Sequence, residues 1–222
     1  MRTALLLGGS GLIGGHCLDL LLRDEAYTQV IALVRKPLPI THPKLTQYSV
    51  DFDRLQDFAH LLKADDVFCY LGTTIKKAGS QEAFRKVDFT YAHEAAKLAA
   101  SNGATQFLLV SSLGADAKSS VFYSRVKGEI EAAVSALNFT SVSIFRPSLL
   151  LGERAEFRFG ERLAEPVAKA LSFFLIGGLR KYRAIEARTV AAAMIEIAKA
   201  QTKDVNIYES DRIQRIGDGL IS

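Results

Sequence analysis

Short apolar runs alternate with segments of helical periodicity through the first two thirds of the chain. The predicted strands lie at residues 3–7, 30–34, 48–51, 67–71, 107–110 and 142–145, and the runs at 48–51 and 142–145 also contain polar residues. Such runs are typical of strands that are buried on both faces of a parallel sheet. The alternation therefore predicts an α/β fold, with a doubly wound parallel sheet and helices on both of its faces.

The longest predicted helix lies between the fourth and the fifth apolar run. Ser80 can cap its start, and apolar residues recur at helical spacing from Phe84 to Leu98. Asn102 and Gly103 can end it, because glycine tolerates the left-handed conformation that closes many helices. A shorter helix is expected around Leu55.

The regular alternation ends after Gly152. Residues 153–188 mix charged positions with an apolar patch at 171–179, and a further helix and a strand-like run at 205–208 follow. We predict a single domain over residues 1–222, with residues 153–188 as a substrate lobe inserted within it. The apolar patch could be a buried lobe helix, a subunit contact in a homodimer, or a membrane-surface segment.

The composition is that of an ordinary globular protein. The chain has 222 residues, of which 49% are hydrophobic and 23% are charged. Lys and Arg number 28 and Asp and Glu number 24, and this net charge of +4 is too small to indicate a nucleic-acid-binding protein. We therefore expect no nucleic-acid partner.

The cysteines and the start of the chain bear on location. Cys17 and Cys69 form no Cys-x-x-Cys motif, which favours a reducing compartment over a disulfide scaffold. No cationic stretch of signal-peptide type precedes the apolar residues 4–7, and no run reaches the roughly 18 apolar residues of a membrane span. We expect a cytoplasmic protein without a transmembrane segment, and the four histidines lack the spacing of a metal site.

A glycine-rich turn follows the first run, with the sequence Gly-Gly-Ser-Gly-Leu-Ile-Gly at residues 8–14. It stands between a predicted buried strand and an amphipathic helix, which is the context that a dinucleotide-binding turn requires. Glycines allow a tight bend, and the free N–H groups at the helix start favour a pyrophosphate. The turn predicts a dinucleotide cofactor.

The end of the second run indicates which dinucleotide. An acid about 20 residues beyond the turn would bind the ribose 2′-hydroxyl of NAD, but Arg35 and Lys36 stand here instead. A guanidinium can hold a 2′-phosphate through two hydrogen bonds, whereas a carboxylate would repel it. We therefore favour NADP(H) over NAD(H). The alternative is that Arg35 is only a solvated charge at a strand end.

A tyrosine and a lysine lie one helical turn apart, at Tyr123 and Lys127. A nearby ammonium favours the phenolate, which makes the tyrosine usable as a general acid or base. The preceding strand ends in Ser111 and Ser112, where a serine could hydrogen-bond the same substrate oxygen. The alternative is a solvated helix turn without chemistry.

Together these features resemble the short-chain dehydrogenase/reductase superfamily, whose domain is a Rossmann fold. More narrowly, the chain resembles the atypical branch, which includes the Tat-interacting tumour-suppressor oxidoreductase and small bacterial proteins labelled as nucleoside-diphosphate-sugar epimerases. The motifs that carry this resemblance are Gly72-Thr-Thr, Ser111-Ser-Leu-Gly-Ala-Asp, Phe145-Arg-Pro and Arg180-Lys-Tyr-Arg-Ala-Ile.

The resemblance implies roles for individual residues. Tyr123 would be the acid/base, Lys127 would bind the nicotinamide ribose, and Ser112 would hold the substrate carbonyl. The residues that would cradle the pyrophosphate are Gly8, Ser10, Gly11, Leu12, Ile13 and Gly14. Those that would line the rest of the cofactor are Asp51 and Phe52 at the adenine, Leu71, Gly72 and Thr73 on the ribose side, and Pro147 near the nicotinamide.

The expected activity is an NADPH-dependent oxidation or reduction of a small alcohol or carbonyl compound. Two departures from the resemblance weaken the epimerase label: Asp88 stands where many relatives have asparagine, and the lobe is short for a nucleotide sugar. Two alternatives stay open. One is an NADPH-binding redox sensor or interaction protein with little turnover, and the other is a nucleotide-sugar epimerase or dehydratase.

Overall fold

Parallel strands form the centre of the computed structural model, which describes residues 2–152 and 177–219. The strands are β1 (Arg2–Leu7), β2 (Tyr27–Val34), β3 (Leu45–Ser49), β4 (Asp66–Cys69), β5 (Gln106–Val110), β6 (Ser141–Arg146), β7 (Leu150–Leu151), β8 (Ile185–Glu186) and β9 (Asp204–Glu209). The main sheet has the order β3-β2-β1-β4-β5-β6-β9, and all its pairs are parallel. Strands β7 and β8 pair separately, also in parallel.

Helices connect the strands and cover both faces of the sheet. The α-helices are α1 (Leu12–Arg23), α2 (Ile75–Ala78), α3 (Gln81–Arg85), α4 (Ala92–Ser101), α5 (Phe122–Ser135), α6 (Ala187–Ala200) and α7 (Ser210–Gly217). A π-helical segment, Lys86–Tyr91, joins α3 to α4, and 3-10 helices lie at Phe52–Leu61 and Gly177–Tyr182. Helices α1, α6 and α7 cover one face of the sheet, and the first 3-10 helix with α4 and α5 covers the other.

The two cores follow from the alternation of side chains along each strand. In β1, Ala4 and Leu6 belong to the core under α1 and α6, whereas Leu5 and Leu7 belong to the core under α4 and α5. All four are fully buried, as expected for a strand with a helix layer on each side. The predicted doubly wound fold is therefore confirmed.

The strand order reverses between β1 and β4, and the loops after these two strands diverge from that point. The N–H of Tyr70, directly after β4, still bonds to the carbonyl of Leu7 at 2.8 Å, so the two strands separate only beyond these residues. Ligands of doubly wound sheets bind outside the carboxyl ends of the strands at such a point. The glycine turn and residues 71–73 both lie there.

Most predicted elements are present, although several differ in detail; the long helix, for example, contains the π-helical segment Lys86–Tyr91. The third strand is Leu45–Ser49 and pairs with Val30–Val34, whereas the sequence predicted residues 48–51. This strand lies at the sheet edge and is partly exposed, so its residues form no continuous apolar run. The short helix around Leu55 is a 3-10 helix.

The predicted substrate lobe is described only from residue 177 onward, as a 3-10 helix, β8 and the start of α6. Its remaining residues, 153–176, lie outside the described part of the chain, as does most of the apolar patch. The assignment of residues 1–222 to one domain stays a prediction. In the ranges that the structure describes, no helix has the length and apolar character needed to cross a bilayer.

Candidate functional site: the crevice at the carboxyl ends of β1, β4 and β5

The glycine turn brings the end of β1 against both α1 and the loop after β4. Gly8 has a φ of +87°, and a Cβ there would lie 2.8 Å from the carbonyl carbon of Tyr70. A Cβ on Gly14 would lie 2.3 Å from the carbonyl oxygen of Gly8. Side chains at these two positions would push the strand, the turn and the helix apart.

The start of α1 is arranged to receive an anion. Gly11 is its N-cap, and no side chain from the described residues caps the helix. The first N–H group that bonds within the helix is that of Gly15, which donates to Gly11 at 2.8 Å. The three preceding N–H groups, on Leu12, Ile13 and Gly14, are available at the positive end of the helix dipole. These groups fit a phosphate, as the sequence predicts.

The residues assigned to the adenosine end lie at the ends of β2 and β3. Arg35 and Lys36 are exposed directly after β2. The N–H of Val50 bonds to the carbonyl of Val34 at 2.9 Å, which keeps Asp51 close to the same strand end. Asp51 also accepts a hydrogen bond from the N–H of Asp53 at 2.9 Å and so starts the first 3-10 helix.

Phe52 is buried, whereas the adjacent Asp51 is exposed. Phe52 is 8% exposed, and its ring packs against Tyr91, with 5.5 Å between ring centroids.

Helix α5 carries the tyrosine and the lysine. Tyr123 lies in its first turn, with its ring centroid 5.5 Å from that of Phe84. Lys127 is 6% exposed, and its Nζ lies 2.7 Å from Oδ1 of Asp88. A Cβ built on Gly72 would lie 3.7 Å from the same Nζ. The structure therefore brings Lys127 to the loop after β4.

Asp88 is 1% exposed and lies in the π-helical segment. Its second oxygen, Oδ2, accepts a hydrogen bond from the N–H of Thr73 at 2.8 Å. Burial raises the pKa of the Asp88 carboxyl above its ordinary value, although Lys127 and Thr73 act in the opposite direction. Burial disfavours the charged form of Lys127, but Asp88, Tyr123 and Cys69 together act in the opposite direction, and the pKa of the ammonium is raised.

Ser112 and Pro147 lie on the wall of one cavity of about 510 Å³, between the carboxyl ends of β5, β6 and β9. The N–H of Leu113 bonds to the carbonyl of Pro147 at 3.0 Å, which joins the two loops. The Oγ atoms of Ser111 and Ser112 are buried and hydrogen-bond to none of the described residues. A serine hydroxyl in this state can donate to a substrate oxygen.

A glycine of α5 fixes the loop that carries Ser112. A Cβ on Gly128 would lie 2.0 Å from the backbone nitrogen of Ala117, so this loop rests directly on the helix next to Lys127. The N–H of Asp116 also bonds to the carbonyl of Ser124 at 3.0 Å. The serine loop and the helix of Tyr123 are thus held against one another.

The cavity also has walls that the sequence did not assign to a site. Arg146, at the end of β6, donates from Nε to Glu131 of α5 at 2.9 Å. Lys181 and Glu209 also line the cavity and lie 3.0 Å from each other. Leu113, Leu149 and Tyr182 supply apolar surface. The Arg-Pro pair after the sixth run was the available signal for Arg146, because it stands at a carboxyl end of the sheet.

The comparison with known protein families decides the classification, since the NAD(P)H-binding family matches residues 8–146, from the glycine turn to the end of β6. The chain belongs to the NAD(P)H-binding family. Membership agrees with the geometry, because the matched region contains the turn, Asp88, Ser112 and the Tyr123–Lys127 pair.

Curated relatives of this NAD(P)H-binding chain extend along nearly its whole length. Protein HTATIP2 of Rattus norvegicus is 35% identical over 221 residues, which cover 97% of this chain and 89% of the rat protein. Protein FMP52 of Candida albicans, named as mitochondrial, is 30% identical over 226 residues, covering 99% and 96%. The expected resemblance to the atypical dehydrogenase/reductase branch is confirmed.

Solved structures of similar shape share the fold at low sequence identity. A UDP-N-acetylglucosamine 4-epimerase from Methanobrevibacter ruminantium superposes with a TM-score of 0.70 at 16% identity, covering 94% of this chain and 76% of the epimerase. The Bordetella bronchiseptica enzyme WbmH, in complex with NAD+, gives 0.70 at 14% identity, covering 99% and 80%. These likenesses show that the chain shares the fold of these two proteins.

The expectation of a cytoplasmic location is wrong in the light of these relatives. The fungal FMP52 proteins, including those of Candida albicans and Emericella nidulans, are named as mitochondrial. The sequence argument used cysteine content and the absence of a secretory signal. Neither feature distinguishes the cytosol from another reducing compartment.

Proposed function

We propose that this NAD(P)H-binding protein is an NADPH-dependent oxidoreductase of the short-chain dehydrogenase/reductase type, acting on a small carbonyl or alcohol compound. The observation that carries the proposal is the position of Lys127. Its ammonium is buried beside Gly72 at the point where the strand order reverses, and Tyr123 lies one turn away on the same helix. A solvated helix turn without chemistry would not bury its lysine there.

The roles of the residues follow from their chemistry. When bound, the cofactor supplies or accepts the hydride. Tyr123 donates a proton to the substrate oxygen in reduction and accepts one in oxidation. Ser112, whose Oγ has no partner among the described residues, donates a hydrogen bond to the same oxygen and stabilises the charge that develops there. Lys127 holds the nicotinamide ribose.

The preference for NADPH rests on Arg35 and Lys36. Both side chains are exposed at the carboxyl end of β2, the strand next to β1 and its glycine turn. Leu38 of the same loop approaches the turn, since its Cδ1 lies 3.3 Å from the position of a Cβ on Gly9. Two cations so close to the adenosine end favour a 2′-phosphate over a hydroxyl.

The cavity that Ser112 and Pro147 share supports a small substrate. Its wall combines the apolar side chains of Leu113 and Leu149 with the paired charges of Lys181 and Glu209. The carbonyl would lie at Ser112, and the rest of the substrate would occupy the space toward Leu149. A homodimer stays a prediction.

The replacement Tyr123→Phe tests the proposal. We expect purified protein to oxidise NADPH in the presence of at least one member of a carbonyl panel, monitored by NADPH absorbance. The variant should bind NADPH with unchanged affinity but lose that activity by about a hundredfold or more, because the proton donor is absent. Wild-type protein that binds NADPH without turning over any carbonyl would instead support the redox-sensor alternative.

A further inference from the structure

A second cavity lies beside the candidate site, at the start of helix α7. Its wall includes three arginines, Arg180, Arg183 and Arg215, and we call it the arginine cavity. Its volume is about 500 Å³, within the range of about 300–1,000 Å³ that small-molecule sites occupy. Among the described residues, it shares no lining residue with the cavity of Ser112 and Pro147. The arginine cavity is therefore a separate space.

The described wall of the arginine cavity has an excess of positive charge. Its carboxylate is Asp211, and Oδ2 of this residue lies 3.7 Å from Nη2 of Arg215. Both side chains are partly exposed, so this ion pair is weak. Lys181 and Glu209, on the neighbouring cavity, pair with one another and add no net charge. Three guanidinium groups and one carboxylate leave a net charge of +2 on the described wall.

Two of the arginines have donors without acceptors. Nε of Arg183 is buried and hydrogen-bonds to none of the described residues. A buried N–H group without an acceptor costs free energy, and a ligand oxygen could supply the acceptor. The side chain of Arg180 is exposed and forms no ion pair within the described ranges. The guanidinium groups are thus available to an anion.

A small hydrogen-bond network fixes the backbone of Arg183 against the start of α7. The N–H of Arg183 donates to the carbonyl of Arg180 at 3.0 Å. The carbonyl of Arg183 accepts a hydrogen bond from Oγ of Ser148, and this Oγ lies 3.0 Å from Oγ of Ser210, the first residue of α7. Because the segment is held before any ligand binds, less ordering is required on binding.

The start of α7 adds a smaller favourable contribution. The helix runs from Ser210 to Gly217, its N-cap is Glu209, and no side chain of the described residues caps it. The N–H groups of its first turn lie at the positive end of the helix dipole. Ser210 and Asp211 belong to this turn and line the arginine cavity. The carboxylate of Asp211 offsets part of the positive potential there.

We propose that the arginine cavity binds a phosphate group, either of a small phosphorylated molecule or as free phosphate. Guanidinium groups hold phosphate oxygens through paired, charge-assisted hydrogen bonds. The net charge of +2 on the described wall matches a phosphate dianion, and the volume leaves room for an organic part. The inference goes beyond the proposed function, because it uses none of the residues assigned to cofactor or catalysis.

The experiment is isothermal titration calorimetry at constant ionic strength, with saturating NADPH to fill the cofactor crevice. The ligands are inorganic phosphate, glycerol 3-phosphate, which has no carbonyl for NADPH to reduce, and glycerol as the uncharged control. We expect both phosphates to bind and glycerol not to bind. Tighter binding of glycerol 3-phosphate identifies an organic phosphate as the ligand, and equal binding identifies free phosphate; both results support the site.

Three variants assign the bound phosphate to the arginine cavity. Arg180→Gln and Arg183→Gln should each weaken binding about fivefold or more, because each removes a charged donor. Asp211→Asn should strengthen binding by about two- to fivefold, because it removes a negative charge from the wall. The exposed Arg180 and Asp211 decide the matter if Arg183→Gln does not fold.

The matched control is Arg212→Gln. Arg212 is an exposed arginine on the same helix, and its Cζ lies 4.5 Å from the ring centroid of Tyr208. It is not among the described residues that line the arginine cavity. The substitution changes the net charge by the same amount as Arg180→Gln, but it should leave phosphate affinity within about twofold of the wild-type value.

Three results would overturn the inference. They are no binding of either phosphate, an equal loss of affinity in Arg180→Gln and Arg212→Gln, and weaker binding in Asp211→Asn. Failure of the wild-type protein to bind NADPH would refute the proposed function alone, since the comparison of variants still locates the phosphate.

Discussion

Gly14 and Gly15 are neighbours in α1, but only Gly14 is pressed against the glycine turn. A Cβ on Gly14 would lie 2.3 Å from the carbonyl oxygen of Gly8, whereas one on Gly15 would lie 3.7 Å from that of Gly9. The first distance requires the backbone to move, and the second is an ordinary contact. The two positions form a natural pair for mutation.

We predict that Gly14→Ala destabilises the fold by about 1–3 kcal/mol, as overpacking commonly does, and weakens NADPH binding. Gly15→Ala should leave binding unchanged and add up to about 1 kcal/mol of stability, because alanine favours the helix. Urea denaturation and NADPH titration measure both effects. Equal behaviour of the two variants would contradict the close approach at Gly14.

Arg35 gives a second prediction at the level of single residues. Arg35→Ala should weaken NADPH by about tenfold or more and leave NADH within about twofold, because only NADPH carries the 2′-phosphate that a guanidinium can hold. The control is Arg23→Ala, which removes an exposed arginine paired with Asp19 at the far end of α1. Paired titrations with the two cofactors measure the ratio. Tighter binding of NADH than NADPH to the wild-type protein would refute the preference.

Single residues differ in how far the sequence could predict them. The glycine turn and the Tyr123–Lys127 pair were predictable, because each is a local pattern set by the geometry of one turn or one helix. The partner of Lys127 was not, because Asp88 lies 39 positions earlier and meets it only through the packing of two helices. The sequence showed only that Asp88 stands where many relatives have asparagine, and it assigned no role to this residue.

At the level of elements, buried strands were the most predictable. Strands β1, β4 and β5 contain continuous apolar runs because both faces are covered. Strand β3 was misplaced by about three residues, since an edge strand lacks this pattern. The π-helical turn at 86–91 was not predictable, because its helical spacing of apolar residues resembles that of an ordinary α-helix.

The packing of α1 and β4 gives a prediction for the two cysteines. Burial raises the pKa of the Cys17 thiol to about 12, against the smaller lowering effect of a hydrogen bond with Tyr70. Burial likewise raises the pKa of Cys69 to about 11. At pH 8 the thiolate fraction of each is on the order of a thousandth or less, and the thiolate is the reactive form.

We therefore expect neither thiol to react with iodoacetamide in the native protein at pH 8 within the time that a model thiol is consumed. Both should react after denaturation, and mass spectrometry counts the added groups. Raising the pH toward 11 increases the thiolate fraction, but reaction would still require opening of the core. Rapid labelling of Cys69 in the native protein would show that the thiol at the end of β4 is accessible to the reagent.

At the scale of the whole molecule, the two ends of the sheet carry different groups of polar residues. The carboxyl ends carry the crevice, whereas the amino ends carry a buried network around Asp66. Asp66 pairs with Arg2 and accepts hydrogen bonds at 2.8 Å from Tyr27 and from Gln106. This network ties β1, β2, β4 and β5 together on the side away from the site.

Asp66→Asn should therefore lower the free energy of unfolding by about 2–4 kcal/mol without changing NADPH affinity. The amide leaves Arg2 without its counter-charge and cannot accept from all three partners. Urea denaturation gives the stability, and titration of the folded variant gives the affinity. A stability equal to that of the wild-type protein would show that the network contributes no net free energy.

The central place of β1 has a consequence for how the chain is made. This strand precedes both of its neighbours in the chain, and it is hydrogen-bonded on one edge to β2 and on the other to β4, which ends at residue 69. Because translation adds about 5–20 residues per second, several seconds pass between the synthesis of β1 and that of β4. The second edge of β1 has no hydrogen-bond partner during this time. A nascent chain halted before β4 emerges would expose one of the most apolar strands of the protein, so chaperone binding should be strongest at that length.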